Sequence, residues 1–154
     1  MRTFFIIGVM MCTIATIAQR NPFRNITEKD GKIGIGTEQP DELLTVKGKI
    51  HTQEVLVDLN GAVAPDYVFE HYFEGESKLN PTYTFPSLLE VATFIEKEHH
   101  LPGIPSAKQL EIEGISLKEM NLLLLQKIEE LTLYSIEQQK EINLLKEKVS
   151  NLEN

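Results

Sequence analysis

Tryptophan is absent from the 154 residues, cysteine occurs once, and the aromatics are 4 Tyr and 7 Phe. So thin an aromatic supply gives little material for a base- or sugar-stacking platform. The lone thiol, Cys12, sits inside an apolar run and excludes a disulfide framework or a thiolate metal cluster. Cations are scarce as well: 15 Lys and Arg stand against 23 Asp and Glu, for a net charge of -8. Neutralising a phosphate backbone needs the opposite balance, so a nucleic-acid partner is not expected. The last absence is local. After Gly114 there is neither glycine nor proline, and nothing in the final forty residues breaks a helix.

That uninterrupted stretch, 117–154, organises the chain. Leu117, Leu124, Ile128, Leu131, Ile142, Leu145, Val149 and Leu152 recur with alternating gaps of three and four, and Asn121, Ser135 and Gln138 fill the same register. This is a heptad seam, with Ile128, Ile142 and Val149 at position a and the leucines at d. The pairs Glu141 with Lys146 and Lys148 with Glu153 are attractive across a parallel homo-oligomer. Ser116 and Glu119 spell a capping box, and Ile115 is placed to staple onto Met120. One helix of this length runs about 55 Å, more than a core of this chain could cover, so copies of the chain are the expected partner. Ser135 and Gln138 cost stability in the seam and suit a register-fixing role. The β-branched a and leucine d pattern favours a dimer, so the heptads alone leave dimer and trimer open.

The chain opens with a targeting pattern: Arg2, an almost wholly apolar run from Thr3 to Ile17, then Thr16-Ile17-Ala18 before Gln19 as a small-residue cleavage site. Residues 1–18 are expected to be a cleaved signal peptide and the protein to be exported. A retained anchor is the competing reading, but about fifteen apolar residues fall short of the roughly twenty that span a bilayer. Met10-Met11 before Cys12 lacks the small residue that lipidation requires. Removal of Arg2 takes the net charge to about -9, and the remaining chain has no cysteine. With no disulfides and a small core, oligomerisation is one of the usual routes to stability.

Residues 19–30 read as a polar linker and 31–61 as a β segment. Isoleucines alternate with glycines in Gly31-Lys32-Ile33-Gly34-Ile35-Gly36-Thr37, and Leu43-Leu44-Thr45-Val46-Lys47-Gly48-Lys49-Ile50 follows Pro40. Such alternation, broken by glycine and proline, predicts short strands joined by tight turns, glycine allowing close approach of backbones. Gln53–Leu59 continues as strand to an Asn60-Gly61 turn. Residues 62–116 form a loop and short-helix module. Ala64 to Pro86 reads as a loop whose Tyr67, Phe69, Tyr72, Phe73, Tyr83 and Phe85 glue it to the next helix. That helix starts at the capping box Ser87 and Glu90, presents Leu88, Val91, Ala92 and Ile95, and carries His99 and His100 in its final turn. Ser106 and Gln109 start a third helix that Gly114 closes. The expected class is α+β: short glycine-rich intertwined strands, a small helical segment, and a long parallel coiled-coil helix over 117–154.

No catalytic constellation emerges. Gly34 and Gly36 lack the third glycine and lysine of a phosphate loop. His99 and His100, with Glu96 a turn before, point to different faces and have no third metal ligand. Ser77 with Lys78, and Ser116 with Lys118, are sequence neighbours with no base geometry. Asp41 with Glu42, and Glu129 with Glu130, read as solvated surface. Catalytic residues, metal and cofactor are all expected to be none.

Two strings resemble a known family. Gly31 to Thr37 with Pro40, Leu44, Val46, Gly48 and Ile50 resembles the glycine-isoleucine-glycine-threonine repeat of bacterial secreted fibre proteins and phage tail fibres. The stretch from Pro65-Asp66-Tyr67-Val68-Phe69 through His100-Leu101-Pro102-Gly103-Ile104-Pro105-Ser106 to Lys127-Ile128-Glu129-Glu130-Leu131-Thr132-Leu133-Tyr134 resembles the C-terminal module of such proteins. In layout it is similar to the chaperone-of-endosialidase domain of tail spikes. The resemblance covers roughly 31–154 and implies a homotrimer whose C-terminal helices register intertwining strands. It also implies autoproteolysis at a serine-aspartate motif assisted by a lysine. Here Asp66 matches, Pro65 stands in place of the serine, and Lys78 lies too far along, so self-cleavage is not expected.

The reading that follows is a non-enzymatic, secreted or surface fibre protein that trimerises and nucleates folding through its C-terminal module. Two alternatives are an autoproteolytic intramolecular chaperone and a carbohydrate-binding adhesin that uses the aromatic loop. The sequence names no glycan, and it ties the chain to a membrane only through an uncleaved signal segment.

Overall fold

The computed structural model describes residues 23–152. The expected signal segment with Cys12, and at the other end Glu153, lie outside them. The chain divides into two compact units, the first reaching Val55 and the second starting at Leu56. The class is α+β, with a small three-stranded sheet, short helices and one long C-terminal helix.

In the first unit, β1 (Ile26–Lys29) pairs antiparallel with β2 (Lys32–Ile35), Ile26 opposite Ile35. The connection is two residues, Asp30 and Gly31, both at positive φ (54° and 76°). This geometry matches the twist of a hairpin, and Asp-Gly is the dipeptide that tolerates it. β3 (Leu44–Val46) then lies parallel to β2, Gly34 opposite Thr45. The return from Ile35 to Leu44 is tight. Gly36 has φ +73° and brings its Cα under the Lys47 carbonyl, so that an added Cβ would sit 3.0 Å from that oxygen. Thr45 is buried and serves as the bracket of the loop. Its hydroxyl donates to Asp41 Oδ1 at 2.6 Å and accepts the Asp41 and Glu42 N–H groups at 3.1 Å.

Two expectations change here. The linker expected over 19–30 contains β1, because Ile26-Thr-Glu-Lys is held by the backbone ladder to β2 and needs only one apolar side chain. The strand expected at Gln53–Leu59 does not form, and Val55, Leu56 and Val57 are exposed. Apolar alternation fixes a strand only where another backbone is within reach to bond it. The Asn60-Gly61 turn does form, with φ 47° and 83° and Ala62 N–H donating to the Leu59 carbonyl at 3.0 Å, although it joins no strands.

The second unit carries α1 (Tyr67–Glu74), α2 (Leu88–Glu98), α3 (Ala107–Glu113) and α4 (Leu117–Leu152). The capping box expected at Ser87 closes, and a second forms at Ser106, where only a helix start was expected. Ser87 Oγ accepts from the Glu90 N–H while Glu90 Oε2 accepts the Ser87 N–H at 2.8 Å, and Ser106 and Gln109 repeat the pattern. The backbone N–H at Ser87 holds the Glu90 carboxyl below its ordinary pKa. At α4 the Ser116 hydroxyl accepts the Glu119 N–H at 3.4 Å, one arm of the expected box. α2 ends at Glu98, so His99 and His100, expected in its final turn, both lie past its end. His99 is its left-handed cap at φ 60°, and the His100 ring packs edge-on against Phe94 at 5.4 Å.

The largest departure is α1, which occupies ground expected to be loop. Its aromatics dock on α4, not on the helix that follows them. Tyr67 Oη donates to Gln126 Oε1 at 2.8 Å, Tyr72 Oη to Glu137 Oε1 at 3.1 Å and Tyr83 Oη to Glu130 Oε1 at 3.1 Å, while Phe85 lies 4.9 Å from the Tyr134 ring. Tyr134 Oη donates to the Pro86 carbonyl at 2.6 Å. The core between these elements is small: Pro65, Val68 and Leu133 are fully buried, and Tyr134 closes over them. α2 and α3 contribute no buried residue.

Candidate self-association surface

All eleven seam positions lie on α4, and every one of them is exposed: Leu117, Asn121, Leu124, Ile128, Leu131, Ser135, Gln138, Ile142, Leu145, Val149 and Leu152. Ile128 and Leu131 show 59% and 63% of their surface, and Leu145 shows 60%. The residues that α4 buries within the chain are Glu129, Glu130, Leu133 and Tyr134. At 3.6 residues per turn their mean direction is roughly half a turn from that of the seam. One helix thus has two distinct faces. One is consumed by α1 and the aromatic loop, the other presents an apolar stripe to solvent.

The polar positions of the seam are quiet. Ser135 Oγ donates to the Leu131 carbonyl at 2.9 Å, within its own helix. Its hydroxyl is therefore already satisfied within the helix, which lowers the cost expected of it in an apolar stripe. Of the two expected interchain charge pairs, Glu141 with Lys146 lies on described helix flanking the stripe, whereas Glu153 lies outside.

Opposite the seam, the sequence reading fails at the acid pair. Glu129 and Glu130 are not solvated surface: they are 5% and 4% exposed. Glu130 is the better provided. Its Oε1 accepts from Gln126 Nε2 at 2.7 Å, Tyr83 Oη at 3.1 Å and Lys127 Nζ at 3.0 Å, and Lys127 also reaches Oε2 at 2.9 Å. Glu129 has no such company, and its buried Oε2 has no hydrogen-bond partner. Burial pushes its carboxyl above the ordinary pKa, and the nearby charge of Asp66 pushes the same way. Tyr83 is likewise raised by burial first and then by Glu130, and Tyr134 is raised to about 12. Only the spacing of Gln126, Glu130 and Glu137 along one face could have signalled this polar seam in the sequence.

The other candidate groups fall into structural roles. Ser77 is buried. It donates to Glu70 Oε2 at 2.5 Å and accepts the Leu79 and Asn80 N–H groups, a clasp that ties the turn after α1 and holds the Glu70 carboxyl below its ordinary pKa. Pro65 is fully buried, and Asp66 begins α1 without a side-chain cap. Tyr72 and Tyr83 are half-buried, while Phe73 is 72% exposed. Among the described residues no three His, Cys, Asp or Glu are grouped to hold a metal, and no helix is long and apolar enough to cross a membrane.

Beside the seam lies a cleft of about 200 Å³ between α2, the Leu101-Pro102 turn and α4. Leu88, Val91, Leu101, Pro102 and Tyr134 line it together with Leu131, a member of the seam. No family model, curated protein or solved structure matches the chain.

Proposed function

We propose that the protein is a non-enzymatic, exported fibre-type structural protein whose C-terminal helix brings copies of the chain together. The observation that carries this reading is the pair of opposed faces on α4, with an apolar heptad stripe left open along the helix while a different face completes the fold of the chain. A trimer is the assembly favoured by the resemblance of the Gly31–Ile50 and Pro65–Tyr134 strings to fibre proteins. In such an assembly the zipper holds the glycine-rich segments at millimolar effective concentration, which makes the meeting of their strands intramolecular. Exposed Val55, Leu56 and Val57 then have other copies within reach.

Deletion of residues 117–152 tests the folding role. The shortened chain is expected to aggregate or stay monomeric and poorly folded. If it remains a soluble folded oligomer, the role is lost. Intact mass of the exported protein is expected to show a chain beginning near Gln19, whereas a fragment beginning near Asp66 would mean self-cleavage.

A further inference from the structure

The cleft beside the seam is more than a gap in a small core. α2 is amphipathic, yet it buries no residue within the chain. Leu88, on its cleft side, is 46% exposed, and Leu101 at the following turn is 43% exposed. The only charged side chains at the cleft, Lys127 and Glu130, are spent on each other at 2.9 Å, so its apolar wall is not guarded by a free charge. Leu131 belongs to the cleft and to the seam at once, so anything lying along the seam at this level also lies over the cleft mouth.

The stripe itself specifies a second copy of the chain as its occupant: its apolar positions recur every three and four residues along α4, and Glu141 and Lys146 flank it at positions that attract between parallel copies. The apolar surface continuous with the stripe, through Leu131, is the α2 cleft.

We propose that this cleft is the flank of the self-association surface: α4 of a second copy of the chain lies along the seam and seats side chains against Leu88, Val91 and Leu101. The inference rests on the self-association reading and deepens it, since it makes α2 and the Leu101-Pro102 turn a lateral clamp supplied by one copy to the helix of another. Such a clamp fixes where along the zipper the copies align, because a shift of one heptad would empty the cleft.

The test uses the full chain with a photoreactive benzophenone amino acid in place of Leu101. Equal amounts of isotopically light and heavy chains are refolded together, irradiated and analysed by peptide mass spectrometry, alongside light scattering of the unmodified protein. Cross-links of mixed isotope running from position 101 into 117–138 are the expected result. Same-isotope cross-links alone, or mixed ones landing elsewhere, in a protein that is oligomeric would overturn the clamp and leave self-association standing. A monomeric mass would overturn both.

Discussion

The two halves of α4 are made of similar residues and live under different conditions. From Leu117 to Glu137 the helix is braced on one side by α1 and the aromatic loop, through Leu133, Tyr134 and the carboxylate of Glu130. From Gln138 to Leu152 no residue is buried. An isolated helix this short is marginal in water without packing, so on the proposed self-association the second half gains its order from the copy that meets Ile142, Leu145 and Val149. The difference teaches that burial within one chain accounts for one end of this helix and leaves the other end to the self-association proposed for it.

The largest expected effect breaks the partner-dependent half. The double change Ile142→Asp and Leu145→Asp places two charges in an apolar interface and is expected to abolish association. It should also melt roughly fifteen residues of helix, read as lost far-UV ellipticity with the near-UV signal of Tyr134 and Phe85 retained. Retained ellipticity in a monomeric variant would mean that the second half stands by itself, and retained mass would mean that Ile142 and Leu145 do not hold the copies together.

Next is the braced half. Leu133, 1% exposed, is expected to cost about 3 kcal/mol when changed to Ala, measured by urea denaturation. The loss should persist at dilutions where copies separate, because this contact lies within one chain.

A smaller effect has the opposite sign. The pKa of Glu129 is higher in the folded chain than its unfolded value near 4.5, so its charged form penalises folding above the folded pKa and the penalty fades as pH falls toward the unfolded one. Glu129→Gln is expected to stabilise at pH 7 by about 1 kcal/mol, with the gain shrinking toward pH 4.5. Glu70 and Glu90 have lowered values and lose stabilisation as pH falls. Only the difference between variant and parent stability isolates Glu129, and a gain that grows in acid would contradict its assignment. Smallest is Ser87→Ala, which removes one arm of the α2 capping box and is expected to cost about 1 kcal/mol or less without changing the mass of the assembly.

What could be read in advance follows the same division between local and distant causes. α2, α3 and α4 announce themselves because capping boxes and heptads act within a few residues. α1 does not, since Asp66 makes no side-chain cap and the helix is held by Tyr67 to Gln126 and Tyr72 to Glu137, contacts 59 and 65 residues apart. Glu129 and Glu130 looked like surface for the same reason: their burial depends on a loop that begins more than forty residues earlier. The strand at Ile26–Lys29 was hidden by its polarity, though the Asp30-Gly31 turn beside it carried the signal. At Gln53–Leu59 the pattern was present and the pairing backbone was not. That the eleven heptad positions share one helix was legible, because their spacing depends on that helix alone.

The most direct test is the molar mass of the purified protein by light scattering, repeated over a hundredfold range of concentration. Each full-length chain is 17.5 kDa before any leader is removed. The account predicts an integer multiple of the chain mass, three being the number favoured by the fibre resemblance, held by the seam and falling to a single chain in the Ile142→Asp, Leu145→Asp variant. A single-chain mass for the unmodified protein at every concentration would contradict it, and α4 would then be a surface for some other protein.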